Sequence, residues 1–323
     1  MKTLVEAVND GLVHEMERDG DVIVMGEDVG RSGGVFRVTA GLQERFGPKR
    51  CVDTPVAEAG LLGTAVGLCM TGWRPVVEMQ YDAFSYPALD QLITHVGRYR
   101  WRSGGRMEVP LTIRMPYGGG VRAPELHEDS PEVYYVHTPG IKVAIPSTPA
   151  DAKGLLAAAI RDPDPVVFFE PKALYRNERE QVPEGEHVVP LGQSRVVREG
   201  GDATILAYGA MVRVAQSAAE VLALDGVSTH ILEVRTLRPL DEAGLLDAVK
   251  RTGRVVIVQE APRTAGFAAE LAAIVAEHAM LDLHAPPQRV TGYDVAFPYW
   301  RLEDVYLPSC ERVAGAVRRT LEF

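Results

Sequence analysis

The chain has 323 residues, enough for two domains that each bury a core. A formal charge of −10 argues against a nucleic-acid binder, which needs a basic footprint, and suits contact with a basic protein. Cys51, Cys69 and Cys310 have no metal-like spacing, and such sparse cysteine use points to a reducing, cytoplasmic setting.

The opening MKTLVEAVNDGLVHEMERDG carries acids in its first turns, unlike a signal peptide, and Leu4, Val8, Leu12 and Met16 share one stripe of a predicted helix over 3–19. No stretch reaches the roughly 18 uncharged apolar residues of a membrane span. Residues 22–25 read as a buried strand that ends in the polar turn GEDVG. A glycine loop and a short helix follow, then an extended stretch over 50–53. The segment DTPVAEAG (53–60) sets Glu58 at the head of an almost uncharged small-residue helix, in which Gly63 and Gly67 predict close approach of another backbone. Residues 74–80 form a strand, 81–87 a polar-aromatic loop, and 88–102 a helix that ends in Arg98, Arg100, Arg102 and Arg106. VPLTIRM is a strand, and 116–132 is a long loop.

Strand 142–145, helix 150–160 and strand 165–170 continue the alternation. Strands this apolar imply a parallel sheet covered on both faces. Residues 171–200 are polar and aperiodic, and the domain organisation read from them is 1–185, a linker over 186–200, and a smaller α/β domain over 201–323. In that second domain, strands at 203–208, 227–234 and 254–259 alternate with helices at 211–224, 241–251 and 265–279. A Pro- and aromatic-rich stretch then precedes a last helix over 308–320. No short repeat or low-complexity tract is present.

Two residues stand out chemically. Glu58 can be a charge favoured by a helix N-terminus. Alternatively, if apolar packing covers it, it can pair with a cofactor nitrogen, as thiamine diphosphate requires of a glutamate at its aminopyrimidine. His127 follows a Gly-rich turn beyond a strand end, where open α/β sheets place ligands, and is flanked by Glu128 and Asp129. It reads either as a titrating active-site group or as a solvated histidine. Gly118-Gly119-Gly120 is neither a Walker A loop nor GxGxxG, so a diphosphate would have to be held elsewhere, for instance by another chain. No HExxH, HxxxH or Cys-pair pattern exists. The arginine cluster reads either as an anion contact or as favourable charge at a helix end.

The collinear stretches GEDVG (26–30), GGVFRVTAGL (33–42), DTPVAEAG (53–60), RPVVEMQYDAFSYPALDQL (74–92), RYRWRSGG (98–105), PYGGGVRAPELHEDSPE (116–132), HTPGIKVAIPSTPADAKGLL (137–156), DPDPVVFFEPKALYR (162–176), EVRTLRPLD (233–241) and VVIVQEAPRTAG (255–266) span nearly the whole chain. Together they resemble the beta subunit of the E1 component of 2-oxo acid dehydrogenase complexes. The resemblance implies an N-terminal pyrimidine-binding thiamine diphosphate fold and a transketolase C-terminal-like domain. It implies an α2β2 heterotetramer whose alpha subunit holds the diphosphate and magnesium.

By that resemblance Glu58 faces the pyrimidine N1′, Val56 is the apolar residue beside it, Gln80 is a polar cofactor contact, and Phe84 lies against the pyrimidine ring. His127 corresponds to the histidine tied to substrate and to reductive acylation of lipoyl groups. Here it sits in His127-Glu128-Asp129-Ser130, where many relatives read HSQS. Potassium on the main-chain carbonyls of Ala159, Asp162 and Asp164 is implied for some members. A basic subunit-binding domain of the E2 acyltransferase is the implied partner, with the C-terminal Phe323 in the contact region. QYDAFSYPALDQ leans toward branched-chain 2-oxo acids, with pyruvate as the alternative. A noncatalytic assembly subunit and a self-contained transketolase-like or synthase-like enzyme are the other readings.

Overall fold

A computed structural model describes residues 1–177 and 179–323. The chain divides into two units, residues 1–117 with 134–191 and residues 118–133 with 192–323.

In the first unit, β1 (Val22–Gly26), β2 (Cys51–Asp53), β3 (Arg74–Glu78), β4 (Thr112–Tyr117), β5 (Lys142–Ala144) and β6 (Val166–Pro171) run in the spatial order β5-β6-β4-β3-β1-β2, every pair parallel. The central strands are buried on both faces, as the apolar runs predict: Val22, Val24, Val76, Val77 and Val166 through Phe169 are all fully enclosed. Helix α1 (Leu4–Arg18) packs on the helix Pro149–Arg161. It starts with a reciprocal cap. The Glu6 N–H donates to Thr3 Oγ1 at 3.3 Å, and the Thr3 N–H donates to Glu6 Oε2 at 2.8 Å.

Register determines where the functional loops emerge. Gly26 at the end of β1 lies beside Asp53 of β2 and Glu78 of β3. Three neighbouring strands therefore stop together, and the chain leaves each of them at the same edge of the sheet.

Two expectations for this unit need correction. The helix expected over 88–102 is broken into a short α turn (Leu89–Gln91), a π turn (Leu92–Val96) and a second α turn (Tyr99–Arg102). The π turn ends at Gly97, where a Cβ would come within 2.6 Å of the Pro139 carbonyl oxygen. The backbone approaches another segment there, and the position takes a residue without a side chain. The glycines of α3 (Glu58–Met70) do not meet a backbone of this chain. Gly63 has only the Gln91 side chain at 3.7 Å, and nothing lies within 4 Å of Gly67. Their face of α3 is exposed.

In the second unit, β7 (Arg195–Arg198), β8 (Ala203–Ala207), β9 (Thr229–Glu233), the short β10 (Thr236–Arg238), β11 (Val255–Val258) and β12 (Gln288–Val290) follow in chain order. The sheet order is β12-β11-β8-β9-β7, with β7 antiparallel to β9 and the other pairs parallel. Strand β7 lies in the stretch read as aperiodic. It is a short edge strand with half-exposed Val196, so it lacks the apolar run that marks the central strands. The helices Met211–Leu224 and Cys310–Leu321 pack on each other, and Glu242–Thr252 packs on Phe267–Ala279. Asp241 caps its helix by accepting the Gly244 N–H at 3.0 Å. Among the described residues no helix is long and apolar enough to cross a membrane.

Candidate active site

The aligned ends of β1, β2 and β3 lead directly into most of the residues singled out in the sequence. Glu27 and Asp28 follow β1, Val56 and Glu58 follow β2, and Gln80 and Phe84 follow β3. Such carboxyl-end crevices are where open α/β sheets bind ligands. Glu58 is the first residue of α3, half-buried, and caps no backbone N–H. It has no hydrogen-bond or ion-pair partner among the described residues. Val56 just before it is 79% exposed, unusual for a valine next to a helix start. The Gln80 amide nitrogen lies 3.5 Å from Asp28 Oδ2. Phe84 belongs to the 3-10 turn Ala83–Ala88, which packs on α3, and meets Tyr81 edge-on at 5.4 Å. Phe36 and Tyr175 continue that aromatic row at 5.5 and 5.1 Å.

Sequence reasoning missed Glu27. It is 7% exposed, and burial, then the charges of Glu58 and Asp28, push its carboxyl above the usual glutamate range. The available signal was its position, a charge immediately after the apolar run VIVMG.

A buried ionic network, also unforeseen, lies in the same sheet. Arg114 of β4 donates to both oxygens of Glu170 at 2.6 and 2.7 Å and also to Glu78. The Tyr175 hydroxyl donates to Glu170 at 2.6 Å. Burial pushes Glu78 upward, Arg114 opposes that shift, and Glu170 adds to it. Burial works against the Arg114 charge, but Glu170 and then Glu78 outweigh it and raise its pKa. Lys172 and Asp82 form a second enclosed pair at 3.4 Å, with the Lys172 ammonium 5.6 Å from the Tyr81 ring centre. The signal for Arg114 was a lone arginine inside the apolar run VPLTIRM, since a charge there must be paired.

His127 belongs to the second unit, in the excursion 118–133. Its Nδ1 lies 2.8 Å from the Glu125 carbonyl. A carbonyl only accepts, so Nδ1 carries a proton. The excursion is held by carboxylates of its own unit. The Gly119 N–H donates to Glu260, the Gly120 N–H to Glu303, and the Ala123 N–H to Glu128 at 2.9 Å. Tyr208 donates to Glu132 at 2.7 Å. A Cβ on Gly119 would come within 2.5 Å of the Phe297 ring, which would have to shift to admit it. The glycine run thus does present N–H groups to anions, but the anions are the chain's own side chains.

The arginine cluster lies mainly on the chain's own acceptors. Arg102 donates to the Thr94 carbonyl at 2.7 Å, Arg106 to the Ser103 carbonyl at 2.9 Å, and Arg100 to Asp164. Around Ala159, Asp162 and Asp164, Lys142 Nζ is 2.7 Å from both Asp162 oxygens, and the Asp164 N–H donates to Asp162 at 2.9 Å. Among the described residues no three His, Cys, Asp or Glu side chains are grouped to hold a metal ion.

Fold and strand-end loops together define a class of two-domain transketolase-like chains. The transketolase pyrimidine-binding domain family matches residues 1–178, and the transketolase C-terminal domain family matches residues 192–313. A solved chain described as a split gene transketolase, inactive beta4 tetramer, shares the fold with a TM-score of 0.82. The match covers 99% of this chain and 98% of that one at 22% identity. Much closer in sequence is the pyruvate dehydrogenase E1 component subunit beta of Bacillus subtilis, 49% identical over 321 residues, 99% of each chain. The subunit of the same name from Staphylococcus epidermidis matches equally, at 49% over 99% of each chain. That of Acholeplasma laidlawii is 45% identical over 98% of this chain and 97% of its own. This chain belongs to the family of E1 beta subunits of 2-oxo acid dehydrogenases. Membership implies a thiamine diphosphate-dependent enzyme that works with an E1 alpha subunit.

Proposed function

We propose that the chain is the beta subunit of a pyruvate-decarboxylating E1 that shares its active site with an alpha subunit in an α2β2 heterotetramer. The observation that carries this reading is Glu58, a carboxylate without a hydrogen bond among the described residues, heading a helix at the aligned ends of three parallel strands. Subunits of 45–49% identity that bear the pyruvate name favour pyruvate over the branched-chain acids toward which QYDAFSYPALDQ leans.

The donor set fits an aminopyrimidine. A ring nitrogen needs a carboxylate, the ring needs apolar cover, and the exocyclic amine needs acceptors. Glu58, then Val56 with Phe84, and the Gln80 side-chain oxygen match those needs in turn. Thiamine diphosphate, when bound, supplies the electron sink that lets a 2-oxo acid lose carbon dioxide. Glu58 holds and returns a proton at the pyrimidine nitrogen. Cover by a partner chain removes water from Val56 and strengthens that hydrogen bond. His127, with its Nδ1 fixed as donor, offers Nε2 to move a proton during acyl transfer to the lipoyl group of E2. The glycine-run N–H groups are engaged internally, which supports a diphosphate and magnesium held by the alpha subunit. Potassium on the carbonyls of Ala159, Asp162 and Asp164 belongs to the same proposal. It would bind a turn already tied by Lys142. The net charge of −10 supports docking of a basic E2 segment.

The test is coexpression with the E1 alpha subunit, followed by decarboxylation of pyruvate and of 3-methyl-2-oxobutanoate with an artificial acceptor, with and without thiamine diphosphate. Turnover that needs both chains and the cofactor, and is faster on pyruvate, is the expected result. Preference for the branched acid overturns the substrate. Absence of turnover from a folded, cofactor-saturated tetramer overturns the shared-site reading.

A further inference from the structure

We infer that Glu303, with Glu260 beside it, is a positioning residue for His127, acting as a carboxylate clasp on the backbone of the His127 loop. The inference rests on the reading of His127 as a proton-transfer group. The loop has little structure of its own. Between Tyr117 and Glu132 it forms neither helix nor strand. Two non-glycine residues in it, Arg122 and Leu126, have left-handed backbones with φ of 56° and 63°. Leu126 immediately precedes His127. Such conformations cost about 1–3 kcal/mol each and persist only where the surroundings impose them.

The surroundings that impose them come from the far end of the chain. The short helix Glu303–Tyr306 directs the Glu303 carboxylate at the Gly120 N–H, and Asp304 of the same helix pairs with Arg122 at 3.3 Å. Glu260, at the end of β11, takes the Gly119 N–H. Phe297 packs against Tyr306 at 4.8 Å and fills the space that a side chain at position 119 would need. Farther along the loop, Tyr299 donates to Glu125 at 3.3 Å, and the Glu125 carbonyl in turn accepts from His127 Nδ1. The segment 297–304 therefore grips the loop on both sides of Arg122 and just ahead of Leu126. Glu303 is 1% exposed, and its second oxygen, Oε2, is buried without a hydrogen bond among the described residues. An acid with only one described partner, a backbone N–H of this loop, is placed there for that N–H.

Three variants test the clasp in the assembled E1–E2 complex: Glu303→Ala, Glu303→Asp and Glu303→Gln. Glutamine keeps an oxygen acceptor at the same reach, aspartate withdraws it by one methylene, and alanine removes it. Two readouts are taken together. The first is overall complex turnover against artificial-acceptor decarboxylation, with His127→Ala as reference. The second is amide exchange of the 118–133 segment in the tetramer.

The expected result is a fall of about 10-fold or more in overall turnover for the alanine and aspartate variants, matching the direction of His127→Ala, while artificial-acceptor decarboxylation stays within about 2-fold. Exchange in 118–133 rises about 10-fold, and Glu303→Gln restores both readouts. Unchanged exchange in folded Glu303→Asp overturns the clasp, and so does a glutamine variant as impaired as the alanine one. If His127→Ala itself keeps full overall turnover, the His127 role fails, while the exchange data still decide the clasp.

Discussion

Carboxylates dominate both regions that matter here, but they are used in opposite ways. At the strand ends of the first unit, Glu58 has no hydrogen bond among the described residues, and its charge acts on another acid, Glu27. In the excursion of the second unit, Glu128, Glu260 and Glu303 each accept a backbone N–H. A carboxylate engaged by a backbone N–H shapes a loop. One left without a partner in a crevice is available to a ligand. That contrast separates chemistry from scaffolding better than residue type does.

The largest expected effect lies beneath the strand ends. Arg114→Met leaves Glu78 and Glu170 buried without their cation, and a loss of about 3–5 kcal/mol in unfolding free energy is expected by denaturant titration. A loss below about 1 kcal/mol would mean that the network is not what holds this floor. Next, Glu58→Gln should cut cofactor-dependent turnover by about 100-fold or more and shift stability by under about 1 kcal/mol. A large stability loss with modest kinetic change would make Glu58 scaffolding and erase the contrast. Gly119→Ala drives a Cβ into Phe297 and should cost about 1–3 kcal/mol. An unchanged melting midpoint would show that the excursion yields easily.

The smallest effect concerns pH. Glu27 has a folded-state pKa above its ordinary value. Its carboxyl therefore favours the fold at pH below the ordinary glutamate range, and this contribution is lost as pH rises through the raised value. Glu27→Gln should thus gain stability relative to wild type at neutral pH, and the gain should shrink as pH falls below about 4. A gain that grows on acidification would reverse the assignment.

Much of the architecture was legible because period and apolar runs carry it. The stripe Leu4, Val8, Leu12 and Met16 gave the first helix, and PVVFFE gave β6. Glu58 was legible from its place before an uncharged helix. Glu27 was not, because its shift comes from burial and from Glu58, 31 positions away in numbering. The break at Gly97 was hidden for a similar reason. A glycine in a helical pattern costs little locally, and only Pro139, distant in sequence, shows why it is there. Glu303 sat in LEDVY, which looks like any amphipathic turn. Nothing in the local pattern ties it to a glycine run in mid-chain.

The order in which the polypeptide is made gives that last contact a further consequence. The Gly120 N–H and its acceptor Glu303 are separated by 183 positions. At about 5–20 residues per second, roughly 10–40 s pass on the ribosome between the donor and the acceptor. All the strands of the first unit are already synthesised in that interval, while the His127 segment waits for one of the last turns to emerge. A nascent chain interrupted before Glu303 would carry every strand that positions Glu58 and still leave the Gly120 N–H without its acceptor.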